Sequence, residues 1–206
     1  YHPQEVGYYS GHTNAVEVRG EFAYIATNWY GIQVVSIADP SNIEKVGEFN
    51  DVKRPQIIKV AGDYVYIARS LDLDIISIVD QEYPQVVGHI DLFAYVDDFA
   101  VSGDHLYMVG NWGSMLVFSI AEPEYPRIVG RCEMESPGIS VAASEEFVYL
   151  LDHSDGFQVL SVTDPEHPIR LGSFYLDRMQ GGITICDNYA YVGVRWGGTL
   201  IISIED

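Results

Sequence analysis

Gly20-Glu21-Phe22-Ala23-Tyr24-Ile25-Ala26-Thr27-Asn28-Trp29-Tyr30-Gly31-Ile32-Gln33-Val34-Val35-Ser36-Ile37-Ala38-Asp39-Pro40-Ser41-Asn42-Ile43-Glu44-Lys45-Val46-Gly47 is the stretch that decides the fold. It holds a small residue, a tyrosine, an apolar run, a Ser-Ile pair, Asp-Pro and a closing Val-Gly. The tyrosine returns at Tyr66, Tyr107, Tyr149 and Tyr191, in steps of 42, 41, 42 and 42 residues. The serine returns at Ser77, Ser119, Ser161 and Ser203, and the closing glycine stands at Gly7, Gly47, Gly88, Gly130 and Gly172. Five copies of about 42 residues, each with room for four short strands, predict five propeller blades.

Outward from that stretch, the two ends of the chain read as parts of one copy. Ile201-Ile202-Ser203-Ile204-Glu205-Asp206 stops where other copies continue into a Pro-x-x-Val-Gly strand. Tyr1-His2-Pro3-Gln4-Glu5-Val6-Gly7 resembles that strand, as in Glu82-Tyr83-Pro84-Gln85-Val86-Val87-Gly88. The sequence therefore predicts an all-β, five-bladed β-propeller of four antiparallel strands per blade, its ring closed by the N-terminal strand completing the last blade. One domain, 1–206, is expected, with repeats near 12–50, 54–91, 95–133, 137–175 and 179–206 plus 1–10. Because the chain opens on Tyr1 rather than Met, a mature or excised form is expected.

Within the first copy, turn signals delimit strand a at Ala15–Arg19, b at Phe22–Thr27, c at Ile32–Ala38 and d at Glu44–Phe49. Gly20, Gly62 and Gly103 mark tight a–b turns, with Ser144 and Asp187 in the other two copies. The repeated tyrosine is expected to pack between blades with its hydroxyl reaching a partner. Glu17 and Lys59 hold one repeat position in adjacent blades and predict a salt bridge.

Composition narrows function. The 30 acidic and 11 basic residues give a net charge of −19, which offers phosphates no basic face and excludes nucleic acid as a partner. The same balance permits a cationic partner. No apolar run reaches the roughly 18 residues of a membrane span, so no membrane insertion is expected. Cys132 and Cys186 fall in different blades, so no disulfide is expected, and no Cys/His spacing suggests zinc. No cofactor motif is present. Asp152-His153-Ser154-Asp155-Gly156 and Asp72-Leu73-Asp74 miss the spacing of a calcium loop.

The units Gly31–Asn42 and Leu160-Ser161-Val162-Thr163-Asp164-Pro165-Glu166-His167-Pro168 resemble the LVIVD repeat family, and the resemblance covers all five copies. It implies a propeller and an extracellular or cell-surface location, the periplasm included. It carries no common catalytic motif. This sequence departs from the pattern where Ser precedes the c–d turn and where Gln81 replaces the turn proline.

In a propeller the b–c loops and the entries to strand a share one face, where ligands usually bind. All three tryptophans, Trp29, Trp112 and Trp196, stand five residues after the repeat tyrosine, in b–c loops. They read either as platforms for sugar rings, flat heterocycles or cations, or as packing against the adjacent blade. Asn28, Tyr30, Asn111 and Arg195 stand beside them, and His12, Arg54, Tyr95, Asp97 and Asp98 enter strand a. Because adjacent strand residues point oppositely, Asp97 and Asp98 cannot both face one ligand. The reading that results is a non-catalytic extracytoplasmic module binding a glycan, small molecule or protein. The alternatives are an adhesion scaffold of a larger surface protein, or a glycoside-acting hydrolase built on Asp97 or Asp98 with Asp72, Asp152 or Asp155.

Overall fold

The structure, a computed structural model, describes residues 2–29, 31–52, 54–176, 181–194 and 198–205. Its contacts gather into two compact units, Tyr1–Leu92 and Phe93–Asp206. The chain is all-β, with no helix among the described residues, and its five antiparallel sheets are the blades of a five-bladed β-propeller.

The first unit holds two sheets in consecutive order. β1 (Thr13–Arg19), β2 (Phe22–Thr27), β3 (Gly31–Ser36) and β4 (Glu44–Phe49) form one, and β5 (Ile57–Ala61), β6 (Tyr64–Arg69), β7 (Asp72–Ser77) and β8 (Gln85–Asp91) the other. Each sheet alone has two wide apolar faces, so it is stable only when stacked. Tyr24, Ala26, Ile32 and Val34 of the first sheet pack with Ile58, Val65, Ile67 and Ile76 of the second. The expected role of the repeat tyrosine is visible here: Tyr24 is buried, its hydroxyl donates to Gln81 Oε1 at 2.9 Å, and burial holds the phenol above its usual pKa. Glu17 and Lys59 pair across the same interface at 3.6 Å.

The second unit holds three sheets. β9 (Val96–Ser102), β10 (His105–Gly110), β11 (Ser114–Ser119) and β12 (Arg127–Glu133) form the first. β13 (Gly138–Ala143), β14 (Phe147–Asp152), β15 (Gly156–Ser161) and β16 (Ile169–Phe174) form the second, and β17 (Ile183–Cys186), β18 (Tyr189–Val194) and β19 (Gly198–Ser203) the third. Val109, Met115, Val117, Val141, Leu150 and Leu160 make one inter-sheet core, and Leu151, Phe157, Ile183, Ala190 and Val192 the next. Both cysteines are free.

The turns follow the sequence closely. Gly20, Gly62 and Gly103 take positive φ in two-residue a–b turns, and Asp187 does the same at 51°. In the fourth copy the turn is one residue longer, and Ser144 closes it through its amide and hydroxyl to Phe147. The Val-Gly pairs mark a feature the sequence did not announce. Each c–d pairing carries a bulge beside the closing glycine: Val34 and Val35 pair Gly47 and Lys45, and Val117 and Phe118 pair Gly130 and Ile128.

At two of these glycines the c–d turn of the next sheet comes close. A Cβ at Gly47 would overlap the Gln81 carbonyl oxygen, and one at Gly130 would overlap the Pro165 carbonyl oxygen. Gly172, by contrast, has nothing within 4 Å of such a Cβ. The strand that carries it, β16, is exposed along its length, and a cavity of about 360 Å³ opens there between Tyr149, Phe157, Leu171, Ile202 and Ile204.

The N-terminal segment differs in part from expectation. Residues 2–10 form no strand, and the fifth sheet has three strands among the described residues. The segment instead lies on the first sheet: Tyr9 packs against Ala23, Ile25 and Val35, its hydroxyl donating to Gln33 Oε1 at 3.3 Å, and Gly7 abuts the Pro40 carbonyl. Gly7 thus meets a c–d turn as Gly47 and Gly130 do. The strand pattern in the sequence indicated edge pairing, which depends on a distant partner, and did not announce this side-on packing.

The two glycine environments make a direct test. Gly130→Ala is expected to cost about 2 kcal/mol through the carbonyl overlap, and Gly172→Ala less than about 0.5 kcal/mol, read from urea midpoints. Equal costs contradict the close-approach account.

Candidate functional site

In an antiparallel sheet ordered a-b-c-d, the start of a, the end of b, the start of c and the end of d lie at one end. The described residues singled out from the sequence stand at this end of their own sheets or in the segments beside it. Tyr30, Arg195 and Trp196 lie outside the described residues.

In the first unit, Trp29 stands at the tip of the β2–β3 turn and is 69% exposed. The turn beneath it is fixed. Gly31 takes φ 62° against the Phe49 carbonyl, and Thr27 Oγ1 donates to the Gly31 carbonyl at 3.2 Å. Asn28 does not project freely: its Oδ1 accepts from Asn14 Nδ2 at 2.9 Å, and the same amide reaches the Pro55 carbonyl at 3.0 Å, tying the two sheets together. His12 and Arg54 are exposed, Arg54 with φ 55°.

The polar focus of this unit was missed from sequence. Asp74, buried on β7, accepts from Arg69 Nη2 at 2.8 Å and from His89 Nδ1 at 2.6 Å. Arg69 Nε also reaches Asp72 at 2.5 Å, and His89 Nε2 reaches Asp91 at 3.2 Å. The Asp74 hydrogen bond, aided by Asp91 and opposed by burial, raises the His89 pKa. The signal was present as alternation: Asp72 and Asp74 share one side of β7, and Asp74 pairs His89 across the ladder.

In the second unit the adjacent aspartates part company at a bulge, where Val109 pairs Asp98 and Gly110 pairs Val96, leaving Asp97 unmatched. Asp98 turns inward. Its Oδ2 accepts from Ser140 Oγ at 2.7 Å and the Val141 amide at 3.0 Å, and its Oδ1 from the Phe99 amide at 2.9 Å. Ser140 Oγ in turn accepts from the Ile183 amide at 3.2 Å, so one chain of hydrogen bonds laces three sheets. Asp97 turns outward. Burial raises its pKa, with His153 opposing and Asp98 adding to the shift. Among the described residues it has no hydrogen-bonded or ion-paired partner.

Trp112 is half-buried, with its Nε1 lacking a partner, and Phe93 packs on it with centroids 5.7 Å apart at 57°. It is a packing residue, unlike Trp29 at the same repeat position. Asn111 donates its amide to the Tyr95 carbonyl at 3.3 Å, which seats the turn beside Tyr95. Asp152 is fully buried and organises its own loop. Its Oδ1 accepts from the amides of Ser154, Asp155 and Gly156 and its Oδ2 from Gln158 Nε2 at 2.6 Å. Asp155 pairs with Arg170 at 2.7 Å. Among the described residues, no group of three or more His, Cys, Asp or Glu is placed to hold a metal ion, and no helix is long and apolar enough to cross a membrane.

Fold and site together define an all-β repeat protein whose loop end bears aromatic and polar side chains on a stacked-sheet base. The LVIVD repeat model matches residues 10–51, 55–91, 94–134, 139–175 and 177–206, and the chain belongs to the LVIVD repeat family. None of the curated proteins compared with it matches.

Two polar centres give predictions. Asp152→Ala strands three loop amides and is expected to cost about 3 kcal/mol, read by urea unfolding. For His89 the sign follows from its raised folded pKa. The stabilisation is complete below the ordinary imidazole value of about 6.5 and is lost as pH climbs through the folded value. His89→Gln should therefore destabilise the chain by about 0.5 kcal/mol at pH 5.5, and by less at pH 9. A cost that does not change with pH contradicts the pairing.

Proposed function

We propose that this chain is a non-catalytic extracytoplasmic binding module that presents aromatic side chains at the loop end of its blades to a glycan or small ligand. The observation that carries the reading is Trp29: a 69% exposed indole on a turn pinned by Thr27, Gly31 and the Asn14–Asn28 pair. A large exposed aromatic on a fixed base has little ordering entropy left to lose when a ligand stacks on it. Membership of a propeller repeat family supports a binding or scaffolding role in the coarser sense.

The hydrolase alternative finds less support. It needs two carboxyls facing each other across a cleft. Asp72, Asp98, Asp152 and Asp155 are each engaged by cationic side chains, hydroxyls or amides. The scaffold alternative draws on the buried side of Trp112 and on the Asp98–Ser140–Ile183 lacing, which stabilise the fold without offering a site.

Screening the chain against a glycan and small-molecule array, with tryptophan fluorescence in parallel, tests the proposal. Trp29→Ala is expected to weaken a saturable hit at least tenfold, about 1.4 kcal/mol, with stability changed by less than about 0.5 kcal/mol. Silence across the array, or binding indifferent to Trp29→Ala, contradicts it.

A further inference from the structure

We propose that a cavity at the a–b and c–d end of the second unit binds a small amino alcohol, its hydroxyl paired with the buried Tyr107 hydroxyl and its ammonium group held by Asp104 and Glu145. This site is separate from the loop end and does not rest on the binding reading above.

One exchange between repeats creates the site. In the second copy Gln81 stands in the c–d turn that meets Gly47, and its Oε1 accepts from the Tyr24 hydroxyl at 2.9 Å. In the fourth copy Pro165 stands in the turn that meets Gly130. Proline offers no side-chain acceptor. Tyr107, the repeat tyrosine beside that turn, is 2% exposed, and its hydroxyl has no hydrogen-bond partner among the described residues. Burial raises the pKa of both phenols; at Tyr24 the Gln81 hydrogen bond opposes the rise, and at Tyr107 no hydrogen bond does. A buried tyrosine hydroxyl ordinarily finds a partner, and leaving it without one is costly.

Tyr107, His105, Val162, Pro165, Asp104 and Glu145 line one cavity of about 250 Å³. Local structure accounts for the polar members. Gly103, at φ 54°, makes the tight β9–β10 turn that presents Asp104. His105 and Tyr107 stand two apart on β10 and so share a side, with ring centroids 6.4 Å apart at 36°. The β13–β14 turn, one residue longer than its counterparts, carries Glu145. Both carboxylates are exposed, neither has an ion pair among the described residues, and no Lys or Arg lines the cavity.

The lining decides the ligand class. The inner end offers a phenolic proton that needs an acceptor, the outer end offers two carboxylates, and Val162 and Pro165 supply an apolar wall between. A metal ion does not suit, because no group of three or more His, Cys, Asp or Glu among the described residues is placed to hold one. A plain alkylammonium carries only donors and leaves the phenolic proton unsatisfied. A neutral alcohol satisfies the phenol and leaves the carboxylates without a counter-charge. A short chain with a hydroxyl at one end and an ammonium at the other answers both. Because the carboxylates stand in solvent, the charge contributes modestly, and affinity of about a millimolar is expected.

The test is a two-dimensional amide NMR titration of the full chain at neutral pH with 3-aminopropan-1-ol. Propylamine, which lacks the hydroxyl, and propane-1,3-diol, which lacks the charge, serve as comparisons. Saturable shifts at Ser102–Tyr107, Glu145 and Val162 are expected with the amino alcohol, about fivefold weaker with either comparison compound. Tyr107→Phe removes only the hydroxyl and should abolish the preference for the amino alcohol over propylamine. Asp104→Asn combined with Glu145→Gln should abolish its preference over the diol. Tyr107→Phe should also leave the urea midpoint unchanged, whereas Tyr24→Phe, which breaks the bond to Gln81, lowers it. Absence of saturable shifts, equal binding of the diol, a preference over propylamine that survives Tyr107→Phe, or an equal loss of midpoint in the two tyrosine variants overturns the proposal. None of these outcomes bears on a ligand at Trp29, so the loop-end reading stands or falls by its own array screen.

Discussion

The close approach of one sheet to the next is the constraint on which the rest of the structure depends. Each four-stranded sheet has apolar residues on both faces and cannot persist alone. Stacking brings the backbone of a c–d turn against the closing glycine of the preceding outer strand, at Gly47 with Gln81 and at Gly130 with Pro165. No side chain fits in that gap. The bulge at the preceding residue turns the strand so that the glycine meets the turn, and the repeat tyrosine fills the space alongside, as Tyr24 does beneath Gln81. Glycine, bulge, turn and tyrosine are one device, repeated.

This device supplies backbone stacking at one end of each sheet. The stacking contacts of glycine and turn lie at the a–b and c–d side of each sheet, away from the b–c turns. The tryptophan position of the b–c turns carries different residues in different copies. Trp29 projects into solvent, Trp112 folds onto Phe93, and the equivalent places carry Leu71 and Ser154. The polar network of Asp74, Arg69 and His89 and the loop cap at Asp152 hold the individual turns, each with buried charge that is hydrogen-bonded at every face it presents.

Much of the fold was legible because the signals are local. Strands b and d of the first copy end at the residues the turns indicated, Phe22–Thr27 and Glu44–Phe49. Alternation indicated that Asp97 and Asp98 would part, but the bulge at which they do so depends on the register with the neighbouring strand. What stayed illegible depended on distant partners. Whether a tryptophan at a fixed repeat position is buried turns on Phe93, which belongs to a neighbouring segment with no repeat signature. The N-terminal pattern pointed to edge pairing in the last blade, and the packing of Gly7 and Tyr9 on the first sheet was not read from it. The Asp74 centre hid inside an apparent acidic loop because its cations, Arg69 and His89, come from the flanking strands.

The central claim is that the sheets form a closed-packed base while the loop end stays open to a ligand, and Trp29 is its most direct reporter. Trp112→Phe and Trp196→Phe together leave a chain whose only tryptophan is Trp29. Its fluorescence is predicted to be red-shifted and freely quenched by acrylamide, in a chain that still unfolds cooperatively. A blue-shifted, quench-resistant emission would mean that the indole is packed against protein, and the open loop end would be refuted.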